Sequence, residues 1–101
     1  RVPVKTSHSE SVNVEFENEC DLETVRKILM NAPGCKVVDE NKDGGYVTPL
    51  EAEGDYLTFI SRIRKDHSNK KALNMWIVSD NLLKGAALNT VQIAECLIKK
   101  K

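Results

Sequence analysis

The sequence predicts an α+β (α/β-like) domain: a mixed β-sheet with one short helix and a long C-terminal helix, in the order β-α-β-β-β-α. Three stretches predict it. VNVEF alternates apolar and polar residues and then gives way to the capped helical pattern DLETVRKILMNA. LNMWIV is a near-continuous apolar run, the pattern of a central strand covered on both sides. NLLKGAALNTVQIAECLIKK closes the chain as a helix of about five turns.

The first strand is expected over Val12 to Phe16, half-buried by its alternation. Asp21 then caps a helix whose Val25, Ile28 and Leu29 recur at helical spacing, with Leu22 one turn earlier. Pro33-Gly34 stops it. Cys35 to Val38 is a short β-branched strand. Roughly Asp39 to Asp55, with Gly44-Gly45, Pro49 and Gly54 among charged residues, reads as a long loop, and long ordered loops tend to be functional or interface-forming. Tyr56 to Ile63 reads as a strand with apolar groups on both faces, followed by the central strand Leu73 to Val78. In the last helix Leu83, Ala87, Val91, Ala94 and Ile98 form one stripe, which Leu82, Ala86, Ile93, Cys96 and Leu97 widen beyond what a surface helix needs. A helix apolar on more than one side expects a partner, either another domain or another subunit.

The bulk properties exclude several classes. A chain of 101 residues makes one small domain and buries only about two thirds of its surface. Fifteen basic residues against fifteen acidic ones argue against nucleic acid, which asks for a basic excess. No apolar run approaches the ~18 residues of a membrane span, and nothing resembles a signal peptide. Cys20, Cys35 and Cys96 are an odd number without CxxC spacing, so neither a disulfide framework nor a metal site is expected, and a reducing cytoplasm is.

Few residues invite chemistry. His8 has the titration range of an acid/base, although a lone histidine near a strand start is by default solvated or hydrogen-bonded. Arg1 suits bidentate carboxylate or phosphate binding. Strand parity sets residues seven apart on opposite faces, so Arg1 and His8 share a site only if the chain bends between them. None of the cysteines fits a nucleophile. Cys96 sits near a helix C-terminus, Cys20 is crowded by Glu17, Glu19 and Asp21, and Cys35 lies in a strand pattern; each defaults to a buried small apolar residue. Asp80 and Asn81 stand at the start of the last helix, where free N–H groups favour anions, with a simple capped helix as the plainer reading. No glycine-rich phosphate loop is present. Arg62, Arg64 and Lys65 read as a solvated strand edge, and His67 as exposed in a polar turn.

Taken in order, RVPV-x-x-x-HSE, RIRKD and WIVSDNLLKGAALNTVQIAE closely resemble aspartate-semialdehyde dehydrogenases. The resemblance covers essentially the whole chain but only the C-terminal portion of such an enzyme, somewhat under a third. YVTPL also resembles the family's Tyr-Pro-x-Pro loop, with Val47 in place of the first Pro.

The resemblance implies an NADPH-dependent reductive dephosphorylation of aspartyl phosphate to aspartate semialdehyde, serving lysine, threonine and methionine synthesis. A cysteine thiolate attacks the acyl phosphate, phosphate leaves a thioester, and hydride reduces it. It implies Arg1 as the grip on the substrate carboxylate, His8 as the acid/base and Asn81 as a contact to the nicotinamide end of NADP. Residues 1–80 would belong to the catalytic/dimerisation domain. Residues 81–101 would form the helix that returns to pack on the nucleotide-binding domain, which is absent here, as are the nucleophilic Cys motif and the Gln that helps position substrate. Thr6-Ser7 stands where many members have a small residue or Gly before the His. The expectation is a fragment, inactive alone and binding NADP poorly, from a cytoplasmic homodimer or higher homo-oligomer. Its first residue, which is not Met, fits that expectation. A sister enzyme acting on another acyl phosphate, such as acetylglutamyl phosphate, fits the end motifs less well. A free-standing, non-catalytic α+β dimerisation or regulatory module is the alternative of a different class.

Overall fold

The structure, a computed structural model, describes residues 1–100. Four strands form a mixed sheet in the order β1-β4-β3-β2. They are β1 (His8–Glu15), β2 (Cys35–Val37), β3 (Thr58–Lys65) and β4 (Ala72–Ser79). β4 runs antiparallel to both β1 and β3, whereas β2 runs parallel to β3. The apolar run LNMWIV is therefore central, as its composition predicts. The first strand begins earlier than the alternation alone indicates, because Ser9 and Ser11 also pair along β4, with Val78 and Trp76.

The first helix, α1 (Leu22–Asn31), starts where the sequence places its cap: the Asp21 carboxylate accepts the Thr24 N–H at 3.0 Å. It packs on β2 and β3. Leu22, Val25 and Leu29 are half-buried, but Ile28 is 63% exposed and leaves the expected stripe. Pro33 and Gly34, the latter at φ 77°, turn the chain into β2.

The expected long loop carries a turn of helix, α2 (Pro49–Ala52). The loop reading missed it: in TPLE, Pro49 takes the first helical position and the Glu51 carboxylate accepts the Thr48 N–H at 3.2 Å and its hydroxyl at 2.8 Å. This segment is a structural cover. Val47 and Ala52 are buried with Phe59 and Val78 in the core, and Val38, Leu57 and Trp76 pack around them. The Val47 N–H donates to Ser61 Oγ at 3.2 Å, and the Trp76 indole N–H donates to the Val47 carbonyl at 2.9 Å.

β2 pairs β3 only from Thr58 to Ile60, so Arg62 and Arg64 lie beyond it on an open stretch of strand edge, exposed as the sequence suggests. A bulge interrupts the β3–β4 register between Ser61 and Arg64, and Arg62 adopts φ 55° within it. A left-handed conformation costs an L-residue about 1–2 kcal/mol. Asp39 offsets that cost. Its carboxylate accepts the N–H groups of Arg62 at 2.9 Å and Ile63 at 3.3 Å, and it pairs with Arg26 at 2.9 Å. Arg26 in turn donates to the Ile63 carbonyl at 2.9 Å.

The last helix opens with a π turn, Leu83–Ala87, and continues as α3 (Leu88–Lys99). None of its residues is buried. Val91 and Ile93 are 54% exposed, Leu97 62% and Ile98 73%. The helix projects from the sheet instead of packing on it, which raises the radius of gyration to 14.8 Å, against about 13 Å for a compact chain of this length. The excess of apolar faces read from the sequence is real and remains uncovered by this chain.

Candidate functional site

His8 sits where β1 begins, and pairing sets it opposite Ser79, where β4 ends. Asn81 follows two residues later. The fold thus brings His8 and Asn81, far apart in sequence, to one end of the β1–β4 pair. Both retain access to solvent: His8 is half-buried and Asn81 exposed.

The chain enters this corner through Ser7, which adopts φ 68°. That conformation explains why a glycine suits the position before the histidine: only a residue without Cβ takes it freely. The sharp turn ends strand geometry at His8, so the parity that would separate Arg1 from His8 does not apply upstream. Arg1 is exposed and lies outside regular structure, and its guanidinium has no partner among the described residues. Ser7 and Ser9 flank the histidine and are buried, and neither hydroxyl has a hydrogen-bond partner among the described residues. His8 Nε2 stands 3.9 Å from Glu10 Oε2, an ion pair only when the imidazole is protonated.

Asp80 is the residue whose weight the sequence understates. It is 4% exposed. One carboxylate oxygen accepts the Gly54 N–H at 2.8 Å, and the other accepts the N–H groups of Leu82 at 2.9 Å and Leu83 at 3.3 Å. It therefore caps the last helix and ties that helix to the segment after α2, holding Asn81 between fixed neighbours. These bonds, the one from Gly54 foremost, draw its carboxyl below its ordinary value against the opposing effect of burial. The plainer reading of this helix start, a cap, is the one the geometry supports.

No thiol adjoins the histidine through the sheet. Cys35 is on β2, at the opposite edge from β1, roughly 14 Å away by three strand spacings. Cys20 lies beyond the far end of β1, a strand roughly 24 Å long. Cys96 is on the projecting helix and exposed, whereas Cys20 and Cys35 are half-buried, so the expectation of three buried cysteines is corrected. His67 is exposed, as expected. Among the described residues no helix is long and apolar enough to cross a membrane, and no His, Cys, Asp and Glu side chains cluster to hold a metal ion. The corner can bind and move a proton at an imidazole and present an amide; no contact among the described residues brings the Arg1 guanidinium to it.

The family model described as the semialdehyde dehydrogenase dimerisation domain matches residues 1–84. The chain belongs to that family. It is 50% identical over 99 residues to an aspartate-semialdehyde dehydrogenase of Rickettsia bellii, covering 98% of this chain and 29% of that one. A relative from Aquifex aeolicus is 48% identical over 100 residues, covering 99% and 29%. Among solved structures, aspartate semialdehyde dehydrogenase II of Vibrio cholerae complexed with ASA superposes with a TM-score of 0.87 at 37% identity, covering 98% of this chain and 29% of that one. A structure of a probable aspartate-semialdehyde dehydrogenase from Pseudomonas aeruginosa gives a TM-score of 0.83, also at 37% identity, covering 95% and 28%. The chain thus spans less than a third of the length of the relatives it matches.

Proposed function

We propose that this chain is the C-terminal part of an aspartate-semialdehyde dehydrogenase, with residues 1–80 in the catalytic/dimerisation domain and residues 81–101 forming the helix that docks on a nucleotide-binding domain supplied upstream. The observation that carries the reading is the pairing of His8 with Ser79, which sets the histidine of RVPV-x-x-x-HSE beside the SDN of the last helix in a chain half identical to such an enzyme. The uncovered α3 supports it, since Val91, Ile93, Leu97 and Ile98 are large apolar side chains that this chain leaves exposed along one helix.

In this reading His8 moves the proton at the reacting carbon's oxygen or thiol, Arg1 grips the substrate carboxylate through paired N–H donors, and Asn81 orients the nicotinamide end of NADP through its amide. NADP supplies hydride chemistry when bound. The only residue of this chain assigned to it is Asn81, and no glycine-rich phosphate loop accompanies it. The nucleophilic thiol likewise comes from upstream. The complete enzyme is a cytoplasmic homodimer acting in aspartate-family amino-acid synthesis, and this chain alone is inactive.

The test measures NADP reduction driven by aspartate semialdehyde and phosphate. The complete polypeptide turns over, His8→Asn lowers kcat by about 10²- to 10⁴-fold, and the 101-residue chain alone does nothing. Turnover by the isolated chain, or an unimpaired His8→Asn enzyme, defeats the assignment.

A further inference from the structure

Arg62 holds a left-handed φ of 55° without being a residue that suits it. Glycine takes that conformation freely, and asparagine visits it more readily than arginine does. Simple solvation of an exposed strand edge does not explain an arginine kept there. Strained backbone of this kind gathers at ligand clamps.

The surroundings of Arg62 are those of a clamp. At the rim of the sheet, α1, the segment after β2 and the open edge of β3 enclose a cavity of about 400 Å³, within the size range of small-molecule sites. Arg26, Lys42, Arg62 and Arg64 line it, against two acids, Asp39 and Glu40. Both acids are already engaged. Asp39 pairs with Arg26 at 2.9 Å and accepts the N–H groups of Arg62 and Ile63, and Glu40 pairs with Lys42 at 2.6 Å. Among the described residues neither Arg62 nor Arg64 has a carboxylate within 4.0 Å. Arg26 Nε is buried and has no acceptor among them. The wall therefore keeps two uncompensated guanidiniums and N–H donors to spare.

We propose that this cavity binds a small phosphomonoester, its phosphate clamped by the guanidiniums of Arg62 and Arg64. Guanidinium forks match phosphate oxygens, and two of them balance a dianion, whereas a single carboxylate is filled by one fork. The cavity exceeds what a bare phosphate fills, and the engaged acids in its wall suit a polar ester group. Arg64 pairs across the sheet with Asn74, five residues along β4 from the Ser79 that faces His8. That sets it roughly 17 Å along the sheet from the histidine. The proposal goes beyond the dehydrogenase reading and does not rest on it.

Calorimetry on the complete polypeptide tests it, with glycerol 3-phosphate as the probe and succinate as a dicarboxylate control. The parent binds glycerol 3-phosphate saturably, and succinate at least about tenfold more weakly. Arg64→Gln and Arg62→Gly, made separately, each weaken glycerol 3-phosphate by at least about tenfold with an unchanged circular dichroism spectrum. Arg62→Gly does so with a Tm no lower than the parent's, since relief of the left-handed backbone offsets the greater chain entropy of glycine. Binding lost without stability lost is what a merely structural arginine does not give. If Arg64→Gln fails to fold, Arg62→Gly alone decides. A parent without saturable binding, succinate bound as tightly as the ester, or binding that survives Arg62→Gly overturns the proposal. So does a lower Tm in Arg62→Gly, which would show that the arginine is kept there for stability.

Discussion

Replacing Asp80 tests whether one buried carboxylate holds the start of the last helix. In Asp80→Ala the N–H groups of Gly54 and Leu82 lose acceptors at 2.8 and 2.9 Å, while Leu83 keeps the Asp80 carbonyl at 3.2 Å. Hydrogen bonds to a charged group contribute about 1.5–3 kcal/mol each, and loss of a helix cap costs about 1 kcal/mol. The Leu82 N–H faces water once freed, so its share falls at the low end. The expected loss is about 3 kcal/mol, or roughly 15 °C in Tm for a domain of this size. Asp80→Asn keeps the shape but aims an N–H₂ where an acceptor is needed, and costs less than the alanine variant. The sign with pH follows from the lowered carboxyl. Its stabilisation is complete above the ordinary value of 3.8 and is lost as the pH falls through the lower folded-state value. Urea unfolding of parent and Asp80→Asn at neutral pH, and again below 3.8, measures both effects. An Asp80→Ala variant within about 0.5 kcal/mol of the parent, or a gap to Asp80→Asn that does not narrow in acid, refutes the reasoning.

Three further outcomes are expected. Ser7→Gly raises stability by about 1 kcal/mol, since it relieves a left-handed serine and deletes a buried hydroxyl without a partner, against the greater chain entropy of glycine; a lower Tm in thermal unfolding would show that the hydroxyl is in fact satisfied. Gly45→Ala costs about 1–3 kcal/mol, because Gly45 is buried and a Cβ there runs into the Glu40 backbone carbonyl, and chemical denaturation reads the loss. Leu97→Glu changes the stability of this chain by less than about 0.5 kcal/mol, the side chain being in water already, yet lowers that of the complete polypeptide by about 2 kcal/mol if α3 docks there. Equal effects in the two settings would argue against docking.

Much of the fold is legible locally. Asp21 marks a helix start because its side chain and the Thr24 N–H lie within one turn, and nothing distant is needed to satisfy them. LNMWIV shows a central strand because its apolar run leaves almost no polar alternation, although Asn74 to Ile77 end up only half-buried. TPLE announces α2 by the same local chemistry, although the glycines around it conceal it within what reads as a loop. The end motifs identify the family because they are long, and they carry His8, Arg1 and Asn81 with them as proposals.

By itself, then, the sequence determined most of the segments that become helix and strand, α2 and the start of β1 excepted, that the last helix has more apolar surface than one small domain can cover, and to which family the chain belongs. These follow from contacts made within a few residues or from side-chain chemistry alone. Tertiary structure decided the rest. Only the pairing of β1 with β4 sets His8 opposite Ser79 and so beside Asn81. Only the reach of Asp39 across to the bulge supports Arg62 at φ 55°, where Arg62 and Arg64, exposed on the open edge of β3, also line a cavity. Register and facing depend on partners distant in the chain, and a one-residue shift would send every such side chain to the other side of the sheet.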